Sequence, residues 1–588
     1  MTVSVNRTGP GPISPAATQH MVRMRDGVRL ATDVYRPADQ LSPGPVILTR
    51  LPYDKCGEYT FMPRIAEYFT ARGYTMVVQD VRGKFRSEGE TLLFVNEAYD
   101  GHDTLDWIIQ QDWSDGVVGM WGDSYYGYTQ WAAVSTGHPA LRAIAPRVTG
   151  TRLGELPGPI PGQRTHDVEM GVARFYPLSM FHDQDMLEWE LDWTRRPFAA
   201  QVEEFFAAVG SRSASYDVWF PHPVNLRRFP AGHPFDAPAV PVLMTIGWWD
   251  NCAPWSWDDH RALQRRPAWA RNEYLLLEAI DHENNTHFLP GTGNTDPSFL
   301  PRYLDPAVEF FDVFLRGRER AIPRVRWQLA GSGDAEHRVA SAWPPPRSYH
   351  IDLPLFDGLS PVLTWTHDAA DPVPSPVGDA FSFLAEHPDE RHLAERPDVL
   401  AFTGAPVAEP LDLAGPITFS TVFGSDGPEA DLFARLVDVA PDGSARLIAR
   451  GQQTVLAPGA GVPVTVDLGH TGYRLQPGHA LRLTVASSDA PEFVPAPGTG
   501  EHRWLAVKTL PNQQRIRLAD TRLTCTVLPS DAAEPGAVAA PAAVAGPGAA
   551  AAPGAVAGPG AVALGAASAV VAPSAVDSAV VVPSAIDR

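Results

Sequence analysis

Residues 117–131 read VVGMWGDSYYGYTQW, and this stretch decides the fold. A short apolar run ends in Gly122-Asp123-Ser124-Tyr125-Tyr126-Gly127 and passes directly into a segment of helical spacing. A chain builds a nucleophile elbow this way: a strand stops, a tight turn lifts one serine off the sheet, and a helix starts beneath it. A serine hydroxyl is weakly nucleophilic alone. It gains reactivity from a neighbouring base and from a helix N-terminus that favours developing negative charge. The stretch therefore points to acyl transfer through a covalent intermediate on Ser124. Against this, the general pattern is G-x-S-x-G, and here the second glycine comes one residue late, at Gly127, with Tyr126 in its usual place. A Gly- and Tyr-rich turn with no chemistry is the competing reading.

Working outward, strand-like and helix-like segments alternate. Strands are expected at Val28–Arg36, Pro45–Thr49, Tyr74–Val78, Val117–Trp121 and Leu141–Ala145. Helices are expected at Met62–Arg72, closed by Gly73, at Tyr99–Gln111, and at Ser124–Thr136, closed by Gly137 and Pro139. The alternation resumes with PVLMTIG (241–247), YLLLEA (274–279) and a helix over 306–316. Such a pattern implies a mostly parallel sheet with helices on both faces. Between them, residues 148–239 carry no clear strand and are helical around Asp185 to Ala208, which reads as a cap. Its aromatics Phe175, Tyr176, Phe181, Trp189, Trp193 and Trp219 either line a pocket or form the cap's own core. Past Arg347, short alternating runs at 417–422, 432–439, 464–468 and 481–485 read as a β-sandwich or jelly roll, with turns such as Pro441-Asp442-Gly443. The expected fold class is α/β: a core in two parts (1–147 and 240–346), a helical cap (148–239) and a C-terminal β jelly roll (347–528). Residues 529–588, rich in Ala, Pro, Gly and Val, bury too little to offset ordering entropy and read as a disordered tail.

Composition narrows the function. The chain of 588 residues has a net charge of −21, which argues against nucleic-acid and anionic-membrane partners. Cys56, Cys252 and Cys525 are scattered, forming no C-x-x-C pair, which fits a reducing, cytoplasmic setting without a disulfide framework or zinc site. The opening MTVSVNRTGPGPIS has no apolar core of a secretory signal, and no long apolar run suggests a transmembrane helix.

A nucleophilic serine needs an imidazole to take its proton and a carboxylate to orient that imidazole, in the chain order serine, acid, histidine for this architecture. Asp250 follows the strand 241–247 and His282 follows the strand 274–279, both at the strand ends where such sheets place functional groups. Rivals are Asp258, Asp259 and His260, which fall inside an expected helix; Asp281, whose side chain points away from its neighbour's in an extended segment; and His287, the main rival to His282. The run His282-Glu283-Asn284-Asn285-Thr286-His287 resembles a zinc H-E-x-x-H with one residue too many, so its imidazoles leave the shared helix face, and no metal or other cofactor is expected. The Tyr125 backbone N–H, directly after the nucleophile, is the expected first oxyanion donor. Nothing generic selects a second.

Several separate pieces of the chain, in order, resemble the cocaine esterase and X-prolyl dipeptidyl-peptidase type of α/β-hydrolase, the serine peptidase S15 group. They are MRDGVRLATDVYRP (24–37), LTRLPYDK (48–55), QDVRGKFRSEGE (79–90), DWSDGVVGMWGDSYYGYTQW (112–131), IGWWDN (246–251), IDHEN (280–284) and DLFARLVDVAPDG (431–443). In that family the elbow is usually G-x-S-Y-x-G, which accommodates Gly127. The resemblance implies an α/β-hydrolase core, a helical cap and a C-terminal jelly roll, with Asp250 and His282 as acid and base. It also implies a tyrosine hydroxyl as second oxyanion donor, which carries over to Tyr53. Two departures stand out: the family's usual G-P-W-x-H before the histidine is here Glu278-Ala279-Ile280-Asp281-His282, and the tail has no counterpart. The shared Asp80-Val81-Arg82-Gly83 and Ser87-Glu88-Gly89 read as a structural loop in which Arg82 pairs with a carboxylate. The implied partner is a small-molecule ester or acyl compound, leaving homo-oligomerisation open. X-prolyl dipeptidyl-peptidase or α-amino-acid ester or β-lactam acylase activity is the alternative; cap carboxylates Asp167, Glu169, Asp183, Asp185, Glu188 and Glu190 are its candidate amine-binding groups. A catalytically inactive small-molecule binding protein is the alternative of a different class.

Overall fold

A computed structural model describes residues 6–7, 9–153, 187–189, 191–219, 228–285, 297–332, 337–353 and 361–529. The expectations for Phe175, Tyr176, Phe181, His287, most cap carboxylates and the tail beyond residue 529 lie outside the described residues. So do those for the side chains of Glu188 and Trp219.

One ten-stranded sheet organises the first half of the chain. Its strands are β1 (Ala17–Arg23), β2 (Arg29–Tyr35), β3 (Gly44–Leu51), β4 (Thr75–Asp80), β5 (Ser114–Asp123), β6 (Leu141–Arg147), β7 (Val242–Gly247), β8 (Glu273–Glu278), β9 (Val325–Gln328) and β10 (His337–Ala340). They lie side by side in the order β10-β9-β8-β7-β6-β5-β3-β4-β2-β1. From β9 to β4 every neighbouring pair is parallel, and antiparallel strands close both edges. The chain order turns back between β5 and β3, the place where open α/β sheets form their ligand crevice beyond the strand C-termini.

Both faces are covered, as the apolar runs of the inner strands require. Alternation along β3 sends Val46 and Leu48 to one core cluster and Ile47 and Leu51 to the other. The first cluster is roofed by α2 (Glu97–Ile108), α3 (Ser124–Val134) and α4 (Ala253–Gln264) through Leu105, Ile108, Trp131, Val134, Trp257 and Leu263. The second is closed by α1 (Met62–Thr70) and α5 (Leu300–Phe314) through Met62, Ile65, Phe69, Leu304, Phe310 and Phe311. The helix expected over 306–316 thus begins earlier. Pro301 sits in its first turn, where a missing N–H costs nothing, and Pro306 is tolerated inside because Leu300, Tyr303 and Leu304 continue the buried face.

In the region expected to be a strand-free cap, helix Phe198–Val209 starts only after Pro197, later than its apolar periodicity suggests. A two-residue strand, Leu187–Glu188, pairs antiparallel with Asn6–Arg7. Helix Phe198–Val209 is amphipathic, and Val202, Phe205 and Phe206 gather with Tyr216 and Trp189 in a small core of their own. Trp189 and Phe205 stack with ring centroids 4.7 Å apart.

Past residue 347 the chain forms two antiparallel sheets, one six-stranded and one four-stranded. The runs expected at 417–422, 432–439, 464–468 and 481–485 lie within strands Leu411–Ser425, Glu429–Val439, Val462–Leu475 and Ala480–Ala486. Pro441-Asp442-Gly443 makes the hairpin turn, closed by the Gly443 N–H on Ala440 O, with Gly443 at φ 84°. Inward residues such as Phe419, Phe423, Leu432, Leu436, Val466 and Leu483 form the interior between the sheets, continuous with the first core cluster.

This second unit packs directly behind the loop that carries Asp250. The Trp249 indole N–H donates to Leu447 O (2.9 Å). Trp257 lies parallel to His470 with centroids 4.0 Å apart, and the Trp343 indole N–H reaches His470 Nδ1 (3.0 Å). Trp249→Phe deletes one buried hydrogen bond at that seam and should lower unfolding free energy in urea by about 1–2 kcal/mol. Trp249→Ala also opens a cavity and should cost about 3–5 kcal/mol.

Candidate active site

The elbow explains its own displaced glycine. Ser124 opens helix α3 in the left-handed region at φ 49°, a strained setting for a side chain with a Cβ, after an extended Asp123. Gly122, at φ 151°, has no room for a side chain, because a Cβ would lie 2.0 Å from Tyr126 Cδ2. The Tyr126 ring therefore occupies the space beside Gly122. The close approach of helix to sheet passes one residue on, to Gly127, where a Cβ would meet Thr149 Cγ2 at 2.5 Å. Thr149 Oγ1 in turn donates to Ser124 O (2.7 Å), tying the backbone of Ser124 to the segment after β6.

Asp123, which the sequence reading passed over, holds the site together. Its Oδ1 accepts from Arg147 Nε (3.1 Å), and its Oδ2 accepts from Asn284 Nδ2 (2.9 Å) and the Tyr303 hydroxyl (2.5 Å). Arg147 Nη2 also reaches Asn284 Oδ1 (2.8 Å) and Glu278 Oε2 (3.4 Å). All of these side chains are buried. The residue before Ser124 is thereby bonded to the second residue after His282. Asp123, Arg147 and Glu278 all end sheet strands, which is the sequence signal that would have selected them.

Asp250 and His282 meet as expected. His282 Nδ1–H donates to Asp250 Oδ1 at 2.8 Å, with the Asp250 side chain fully buried and His282 7% exposed. Asp250 Oδ1 also accepts the Cys252 N–H (2.9 Å), so the carboxylate is fixed by the turn that starts helix α4. Burial opposes a charged imidazole, while Cys252 and Asp250 favour it, and the balance holds the His282 pKa above the usual histidine value.

Asp281 faces the other way, as its alternation suggested. It accepts from Asn285 N (2.9 Å) and, across to the β-sandwich, from Leu384 N (2.8 Å), while burial pushes its carboxyl up to about 7. The other rivals are engaged elsewhere in helix α4. Asp259 accepts from Thr151 N and Oγ1, His260 Nδ1 pairs with Glu273, and Asp258 pairs with Arg261.

Tyr53, two residues past β3, is buried and lies edge-on to Tyr126 of the elbow (centroids 6.0 Å) and to Tyr59 (5.8 Å). Its loop is pinned by Lys55, a fully buried ammonium on Asp80 (2.8 Å) and Asp33 (3.6 Å). Tyr125 has its N–H in the first helical turn, at the positive end of the helix dipole. Its hydroxyl is used structurally, donating to Glu97 Oε1 (2.8 Å) and accepting from Phe94 N (2.7 Å). Arg82 pairs with a carboxylate as expected, donating to both oxygens of Asp100 (3.0 and 2.6 Å) and to Asp26 (2.6 Å).

Two outcomes test this architecture. Gly127→Ala should destabilise the protein by about 1–3 kcal/mol through overpacking, and Thr149→Ser in the same chain, which removes the clashing methyl, should recover most of the loss. Asp123→Ala leaves a buried guanidinium short of its partner and should cost about 3–5 kcal/mol in urea denaturation.

The description "X-Pro dipeptidyl-peptidase (S15 family)" matches residues 26–284, and "X-Pro dipeptidyl-peptidase C-terminal non-catalytic domain" matches residues 320–522. A cocaine esterase of Rhodococcus sp. is 30% identical over 549 residues, covering 82% of this chain and 92% of that protein. An α-amino acid ester hydrolase structure superposes with TM-score 0.73 at 23% identity, covering 88% of this chain and 98% of that one. An aminopeptidase from a marine sediment Thaumarchaeota archaeon gives 0.72 at 21%, with the same coverage. These two share the fold. Among the described residues, no helix is long and apolar enough to cross a membrane. On the strength of the matched family regions and the esterase relative, the chain belongs to the S15 family of α/β-hydrolases, and it is a serine hydrolase.

Proposed function

We propose that the chain hydrolyses small carboxylic esters through a Ser124–His282–Asp250 triad. The hydrogen bond from His282 Nδ1 to the buried Asp250 carries the reading, because it leaves Nε2 as the nitrogen that exchanges a proton with Ser124. Ser124 Oγ attacks the ester carbonyl as His282 Nε2 takes its proton. Asp250 fixes the tautomer and stabilises the imidazolium. The Tyr125 N–H and the Tyr53 hydroxyl donate to the oxyanion, the alcohol leaves with the proton from Nε2, and water repeats the sequence on the acyl-enzyme. The position of Tyr53 against the elbow ring of Tyr126 supports its share in this step.

The relative named cocaine esterase supports an ester as substrate. The matched regions, 26–284 and 320–522, support a catalytic unit made of residues 1–147 and 240–346 with a cap at 148–239, followed by a β-sandwich at 347–528. A reducing, cytoplasmic setting is supported by three buried cysteines that form no disulfide.

A fluorophosphonate probe should label the wild type and leave Ser124→Ala unlabelled; an unlabelled wild type refutes the triad. Among p-nitrophenyl esters, an aryl ester of a bulky acid, an X-Pro anilide and an α-amino-acid ester, the simple esters should turn over fastest. Turnover of the anilide alone would make this a dipeptidyl-peptidase.

A further inference from the structure

Cys252 has no part in the acyl-transfer steps, yet it sits beside the histidine that moves the proton and the carboxylate that orients it. The chain turns sharply after strand β7. Ala253 N–H closes on Asp250 O (3.0 Å), and Cys252 N–H folds back onto Asp250 Oδ1 (2.9 Å). This turn swings the Cys252 side chain inward, where it is fully buried. A carboxylate oxygen of Asp250, the Cys252 sulfur and a ring nitrogen of His282 all lie within 4.8 Å of one another.

The chemistry of this group differs from that of an ordinary buried thiol. Thiolate, imidazole and carboxylate together make a donor set suited to zinc and to softer divalent cations. Ligand atoms around tetrahedral zinc stand about 3.5 Å apart, so shifts of about 1 Å bring the three groups to corner positions. A second observation points the same way. Asp250 uses Oδ1 for His282 and Cys252 N–H, whereas its Oδ2 is buried with no hydrogen-bond partner among the described residues. A buried, unpartnered carboxylate oxygen is costly unless something else satisfies it, and a cation does so.

The other candidate cluster, His102, Asp106 and His138, fares worse. His138 Nδ1 already accepts the Ala140 N–H (3.1 Å), which puts its proton on Nε2, the nitrogen facing Asp106 (3.2 Å). Asp106 is also half exposed, and among the described residues none of the three has a buried atom without a partner. Cys56 and Cys525 join no such cluster among the described residues, and burial pushes both thiols up to about 12.

We infer that Asp250, Cys252 and His282 form a binding site for one soft divalent cation of the zinc and cadmium class, and that its occupancy shuts off hydrolysis. Coordination replaces the thiol proton, which is released to solvent; with Nδ1 as the ligating nitrogen the ring proton moves from Nδ1 to Nε2, which then no longer accepts the serine proton. The cation competes with catalysis instead of assisting it. The inhibitory half rests on His282 acting as the base; the binding half does not.

The test titrates cadmium into the full chain carrying Ser124→Ala and follows the ultraviolet thiolate-to-cadmium charge-transfer band. The band should saturate at one equivalent and vanish in Ser124→Ala/Cys252→Ser, whose folding is checked by near-ultraviolet circular dichroism. In otherwise wild-type chain, zinc should inhibit ester hydrolysis, a chelator should restore it, and Cys252→Ser should weaken the inhibition at least about tenfold. Absence of the band, or its persistence without Cys252, overturns the metal site. If cadmium binds through Cys252 but leaves hydrolysis untouched, the role of His282 as base fails and the site stands.

Discussion

Everything at the centre of this molecule depends on one buried carboxylate. Asp123 precedes the elbow serine and receives Arg147 from the neighbouring strand, Asn284 from the histidine loop and Tyr303 from helix α5. Burying these groups is expensive unless every charge and donor is matched, and here they match one another. The result is that the elbow, the end of β6, the histidine loop and helix α5 hold a fixed spacing at the C-terminal edge of one sheet. The left-handed backbone of Ser124 persists because this network and the Thr149 hydroxyl determine it from both sides.

The β-sandwich belongs to this scheme despite contributing no reacting group to it. It accepts the indole N–H of Trp249, the residue before Asp250, and it sends the Leu384 N–H to Asp281, the residue before His282. Both loops are therefore braced from behind, on the side away from the elbow. The stacked Trp257 and His470 extend the same seam, and together with Asp250 they line a cavity there. The packing makes the second unit a structural wall of the site as well as an appendage.

Where the sequence reading and the structure part, a long-range contact is responsible. The apolar spacing of Val308, Phe310, Phe311 and Phe314 points to a helix from about Pro306; the buried face set by the sheet carries it back to Leu300. Helix Phe198–Val209 starts later than its apolar spacing, because Pro197 interrupts the pattern. Asn284 and Tyr303 carry no local signature: an asparagine in a turn and a tyrosine on a helix acquire meaning only when the carboxylate of Asp123 arrives beside them.

Legible in single stretches of chain are the alternation of strands and helices, the strand-to-helix turn at Ser124, and the positions of Asp250 and His282 just past their strands. These are local matters of side-chain period, turn chemistry and position relative to a strand end, and each is written in a few adjacent residues. The tertiary structure decided why the second glycine is Gly127, since only the packed sheet brings Thr149 within 2.5 Å of a Cβ there. It also decided that Asp250 and not Asp281 meets His282, because the choice turns on which way each side chain faces across two loops. Placing Cys252 against that pair likewise took the folded chain, as no spacing in the sequence sets a distance between segments joined only through space.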